Sequence, residues 1–138
     1  MPEPTALLDS SALLAYLRDE PGADEVELAL ERGVAMGVVN WAEVVTVVVR
    51  MGGTAAEIRA ELAARGILGE DGLLRFVALT SSDAEFAGDL YRDVQSLGMS
   101  LGDRVCIATA RRLGLVTLTA DQSWRALSIP GVVIQFIR

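Results

Sequence analysis

The ordering of apolar runs constrains this chain more than any other feature. Short apolar stretches with strand character alternate with amphipathic stretches that open on a capping residue and close on a glycine. That alternation predicts β-strands joined by helical crossovers, hence a parallel sheet with helices on both faces. TALL leads to Asp9, after which Ser10 or Ser11 can cap a helix through ALLAYLRDE. Pro21 and Gly22 break the chain before a second helix, ADEVELALER, which Gly33 stops. VAMGVV (34–39) reads as a buried strand. The following NWAEVVTVVVR has Asn40 and Glu43 at capping-box spacing, which favours a helix, and a β-branched run that favours a strand. A strand there would extend the previous one without a turn, so a helix is expected. Thr54 with Glu57, and Ser82 with Glu85, are further capping boxes. Between them LLRFVAL (73–79) reads as a strand, and after them Phe86, Leu90, Val94 and Leu97 form one helical stripe. A helix from Gly102 to Leu113, a strand in LVTLT, a short turn around Trp124 and a last strand in VVIQFI (132–137) complete the chain. The sum is a doubly wound α/β domain over 1–138, with a parallel sheet of about five strands.

The 138 residues are enough for one domain with a sizeable core. No apolar run approaches the roughly 18 residues that read as a membrane span. The start, MPEPTALLDSS, lacks the basic segment of a secretory leader, and Cys106 is the only cysteine, so no internal disulfide can form. A cytoplasmic location is expected, with Cys106 packed as a small hydrophobe.

Two absences narrow the chemistry. The sequence contains no histidine and no lysine; all twelve basic residues are arginine. Histidine-based triads, a Walker lysine, a Schiff-base lysine and a histidine-ligated zinc site are excluded within this chain. Carboxylates, a tyrosine, the thiol or water activated by a metal remain. The net charge of −7 argues against binding nucleic acid through overall electrostatics, but a cation-filled acidic pocket stays open.

In a doubly wound sheet, ligands bind beyond the carboxyl ends of the strands. Asp9 follows the first strand, Glu43 lies just past the second, Asp103 begins a helix on the same rim, and Asp121 follows the fourth strand. Each has a bland reading as a cap or as a favourable charge at a helix start. Capping explains one acid per helix and not four at one edge. Crowded carboxylates resist ionisation unless a cation is present. An all-oxygen set suits Mg²⁺ or Mn²⁺, and such sites commonly serve phosphodiester hydrolysis.

LLDSSALLAYL, NWAE, SLGDRVCIATARRLGL and VTLTADQSW, in that order and spacing, resemble the PIN domain, and more narrowly the VapC toxins of bacterial VapBC toxin–antitoxin systems. The resemblance runs from Ala6 to the terminal strand. It implies a three-layer α/β/α fold with strand order 3-2-1-4-5. It also implies that Asp9, Glu43, Asp103 and Asp121 are the family's four catalytic and metal-binding acids, with Asp9 and Asp103 the leading ligands. Thr119 matches the hydroxyl residue preceding the last acid and is a candidate for substrate binding. The resemblance further implies a Mg²⁺-dependent endoribonuclease, a VapB-type antitoxin partner, an RNA substrate and a homodimer.

Arg104 and Arg111 share a helical stripe, with Arg112 beside it, and either hold RNA phosphates or form a solvated face. Arg104 is the nearest to the acids. Trp124 either stacks a base or closes the core. Leu13, Leu14, Leu17, Val26 and Leu30 offer apolar surface to an antitoxin segment. A non-catalytic PIN-like scaffold is the alternative, and the four intact acids argue against it. A phospho-receiver domain would need a lysine, and a haloacid-dehalogenase-type phosphatase would need an aspartate where Ser11 stands.

Overall fold

The computed structural model describes residues 3–138. Met1 and Pro2, on which the reading of the chain's start partly rests, lie outside them. The strands are β1 (Ala6–Leu8), β2 (Val34–Gly37), β3 (Leu74–Val77), β4 (Val116–Thr119) and β5 (Ile134–Phe136). The helices are α1 (Ser10–Leu17), α2 (Ala23–Arg32), α3 (Val38–Arg50), α4 (Ala55–Ala64), α5 (Ser81–Val94) and α6 (Leu101–Leu113). Every strand pairing is parallel and the order is β3-β2-β1-β4-β5, as the sequence and its resemblance led one to expect.

The layers follow from the two-residue period of the strands. Ala6, Leu8, Val34, Met36 and Leu118 face one side, where Leu13, Val26, Leu30, Val44, Ile58 and Leu62 of α1–α4 cover them. Leu7 and Ala35 face the other, under Leu90 and Val94 of α5, Cys106, Ile107 and Ala110 of α6, and Trp124. Both faces of β1 are therefore buried, which is why its whole length is apolar.

Several boundaries differ from the sequence reading. β2 ends at Gly37 and α3 begins at Val38 with no intervening loop, so Glu43 sits in the second helical turn and Asn40 caps nothing. The β-branched run folds as helix because Val44, Val45 and Val48 pack on the sheet face that Trp41 also covers; tertiary burial outweighs strand propensity. The cap of α1 is Asp9, not Ser10 or Ser11: its carboxylate accepts from the Ala12 amide. The capping box of α5 is Thr80 with Asp83, not Ser82 with Glu85. The Thr54 cap of α4 is as expected. The strands are shorter than their apolar runs at β3 and β5. Trp124 is fully buried in a short 3₁₀ turn (Gln122–Ala126) and so closes the core; it cannot stack on a base. No helix among the described residues is long and apolar enough to cross a membrane.

Candidate active site

Because all strands run parallel, the chain leaves β1, β2 and β4 at one rim, and the four acids arrive there from separate segments. Asp9 is the residue directly after β1 and is only 3% exposed. Its Oδ1 accepts from the Ser11 hydroxyl at 2.7 Å and the Ala12 amide at 2.8 Å, and its Oδ2 accepts from the Thr119 hydroxyl. Ser11 also bonds to the segment after β4, and Thr119 bonds within that segment. Ser11 Oγ accepts from the Ala120 amide at 2.9 Å, and Thr119 Oγ1 accepts from the Asp121 amide at 3.0 Å. Asp9 is thus locked to the turn that carries Asp121.

Asp103 is the third residue of α6. Its Oδ2 accepts from the Ser100 amide at 3.0 Å while the Ser100 hydroxyl accepts from the Asp103 amide, a reciprocal capping box. One carboxylate oxygen thus serves the helix start. Asp121 caps the 3₁₀ turn through Oδ1, which accepts from the amide and hydroxyl of Ser123. Glu43 reaches from α3 to α6, where its carboxylate lies against Gly102 and accepts from Asn40 Nδ2 at 2.8 Å.

The electrostatics show that these groups sense one another. Burial pushes the Asp9 carboxyl from its ordinary 3.8 up to about 6, against the lowering effect of its hydrogen bonds, and the charge of Asp103 adds to the rise. The Asp103 carboxyl is also raised, first by burial, then by the charges of Asp121 and Glu43. Cys106 lies beneath, fully buried, its thiol pushed well up by burial and by Asp9, Asp103 and Glu43. It is packing, not a nucleophile.

Among the described residues, no three Asp, Glu or Cys side chains stand close enough to form a ready-made metal cage. The donor set fits an ion that keeps much of its own water: Mg²⁺ is usually held by one or two carboxylates. Asp9 and Asp103, mutually repelling and half-buried or deeper, are the pair whose charge a cation would offset.

The arginines are turned elsewhere. Arg104 Nη1 donates to the Ala87 carbonyl at 2.8 Å and its guanidinium lies over Tyr91, 5.2 Å from the ring centre. Contact with an RNA phosphate would require it to leave α5. Arg111 lies over Phe86, and Arg112 pairs with the buried Asp83 at 2.9 Å. Ser11 and Asn40 are expected from the sequence only as caps, and Gly102 not at all. Their roles depend on partners 62 to 109 positions away, which local pattern does not reveal.

The solved structures most like this fold include a toxin–antitoxin complex from Klebsiella pneumoniae (22% identity, TM-score 0.66, covering 93% of this chain and 95% of that one). Another is VapBC2 from Rickettsia felis bound to a DNA fragment from its promoter (14% identity, TM-score 0.67, covering 95% and 97%). A third is FitAcB from Neisseria gonorrhoeae (23% identity, TM-score 0.65, covering 94% and 95%). No curated protein matches the sequence. Residues 6–129, nearly the whole described chain, match the PIN domain, and the protein belongs to that family.

Proposed function

We propose that the protein is the toxin of a type II toxin–antitoxin system and acts as a metal-dependent endoribonuclease. The observation that carries this reading is the buried Asp9, locked by Ser11 and Thr119 and within reach of the charge of Asp103, which in turn senses Asp121 and Glu43. PIN domains are in general nucleases, and structures of similar fold come from toxin–antitoxin complexes.

On this reading Asp9 and Asp103 hold the cation, Mg²⁺ or in its place Mn²⁺, and Glu43 and Asp121 complete the acidic wall. When bound, the cation lowers the pKa of water it carries and offsets charge on the phosphoryl group. Thr119 and Ser11 keep both Asp9 oxygens aimed and its side chain unable to rotate. Thr119 itself is fully buried, so the hydroxyl expected from the sequence to bind substrate acts instead through Asp9. Without histidine there is no imidazole to activate the RNA 2′-hydroxyl; attack by water would instead expel the 3′-oxygen and leave 5′-phosphate and 3′-hydroxyl ends.

The antitoxin is expected in a groove of about 310 Å³ where Leu14 and Leu17 of α1 meet Val47, Val48, Met51 and Ile58 from α3 and its sequel. Of the five residues expected to receive it, Leu13, Val26 and Leu30 are buried in the core, so only Leu14 and Leu17 remain available. The full assembly proposed is a cytoplasmic homodimer bound to its antitoxin.

The test is cleavage of RNA by the antitoxin-free protein with Mg²⁺, followed by end-group analysis. EDTA should abolish cutting. Asp103→Asn, which preserves the shape of the helix cap, should lower cleavage at least about 100-fold, because even partners behind a metal ligand cost 10–100-fold. Full activity in EDTA, or 2′,3′-cyclic phosphate ends, would overturn the reading.

A further inference from the structure

The glycine and asparagine that touch Glu43 have no explanation in helix formation alone. Asn40 is 1% exposed and lies in the first turn of α3, yet its side chain turns away from solvent. Its Nδ2 donates to Glu43 Oε1 at 2.8 Å and to the Gly102 carbonyl at 3.3 Å, joining α3 to the first turn of α6. Gly102 is buried, and its φ lies outside the left-handed region, so conformation does not demand glycine there. Space does. A β-carbon on Gly102 would come within 2.6 Å of Glu43 Cδ and 2.8 Å of Oε1. The Glu43 carboxylate therefore fills the volume that any other residue at 102 would take.

We propose that Asn40 and Gly102 form a clamp that positions Glu43: the amide grips one carboxylate oxygen while the bare backbone of α6 receives the other side of the group. The two clamp residues touch neither substrate nor cation, and they act only through Glu43. This inference rests on the acidic-site reading above. Without Asn40 the carboxylate loses its directing donor. With a methyl at 102 it must swing away, which the end of a flexible side chain does at little cost to the fold. The clamp also joins the segment bearing Glu43 to the residue immediately before Asp103, so the separation of those two acids is set by two hydrogen bonds and one absent side chain.

The test is calorimetric titration of the full-length protein with Mn²⁺, alongside melting temperatures measured without metal. Gly102→Ala should bind Mn²⁺ about tenfold more weakly, the low end of the loss when a group supporting the ligands of a metal site is displaced. Its metal-free melting temperature should not fall, because alanine is the better helix former. In a Glu43→Gln background the same substitution should change Mn²⁺ affinity no further, since its route of action is gone. Should Gly102→Ala lower the melting temperature, Asn40→Ala, which removes the donor without adding bulk, decides by the same Mn²⁺ comparisons with and without Glu43→Gln. Equal Mn²⁺ affinity in variant and wild type, or an undiminished loss in the Glu43→Gln background, overturns the clamp while leaving the acidic site standing. Failure of the wild type to bind Mn²⁺ overturns the site and the clamp together.

Discussion

At the scale of single residues, Asp9 ties its burial to a pH dependence that unfolding can read. Its folded-state acid form is favoured over its unfolded one, with a pKa of about 6 against an ordinary 3.8. Between those values the folded chain binds more protons than the unfolded chain, so stability falls as pH rises from about 4 to about 6 and stays low above. The shift corresponds to at most about 3 kcal/mol. Asp9→Asn removes the titration. Its Oδ1 can still accept from Ser11 and Ala12, and its Nδ2 can donate to Thr119 Oγ1, whose own proton can turn to Ser11 Oγ, 3.3 Å away. Denaturant unfolding of metal-free protein should therefore show the difference between Asp9→Asn and wild type moving in favour of the variant from pH 4 to pH 7. Mg²⁺ at pH 7 should stabilise the wild type and leave the variant unchanged. A difference that is flat with pH would contradict the burial argument. The positions of Asp9, Asp103 and Asp121 were legible in the sequence because each follows a strand or opens a helix, whereas Glu43 was read one turn too early because α3 starts at Val38. Ser11, Asn40 and Gly102 were not legible, because what makes them matter is a neighbour brought in by the crossovers.

At the scale of elements, local and tertiary signals agree at most helices and conflict at α3. ADEVELALER has one apolar stripe, acids in its first turn and glycine after its last, and it folds as read. The α3 segment has a strand-like composition, and no local rule announces that a helix can start in the residue after β2. Its helical state is decided by the sheet face it covers. The start of α6 is different, because the Ser100–Asp103 box is local and also holds a site residue. Ser100→Ala should cost about 1 kcal/mol of stability in denaturant unfolding, the usual price of losing a cap. It should also weaken Mn²⁺ binding, since Asp103 then loses one of the two bonds that fix the first turn of α6 around it. Loss of stability with unchanged Mn²⁺ affinity would show that the box serves the helix alone.

At the scale of the whole molecule, two surfaces lie on different parts of the fold. The acids occupy the carboxyl rim of the sheet. The apolar groove lies among α1, α3 and α4, where Met51 is 71% exposed although it borders core residues. α1 and α3 serve both: α1 is capped by Asp9 and ends at Leu17, and α3 carries Glu43 in its second turn and Val47 and Val48 in its last. A helix seated in the groove would therefore bear on the two elements that hold Asp9 and Glu43 without entering the rim. The groove is apolar at its floor, with Arg18, Glu57 and Glu61 at its edge, which fits an amphipathic helix bearing mixed charge on its flanks. Leu17→Asp places a charge on that floor while leaving the fully buried Leu13 and Val44 untouched. It should weaken antitoxin binding at least about tenfold in a titration, the effect of burying an unpaired charge at an interface. RNA cleavage by the antitoxin-free variant, measured where it is folded, should stay within about twofold of wild type, because Leu17 stands at the far end of α1 from Asp9. Hydrogen exchange on adding antitoxin should show protection in α1, α3 and α4. Protection confined to α2 or α5, or unaltered antitoxin affinity of Leu17→Asp, would place the partner on another face.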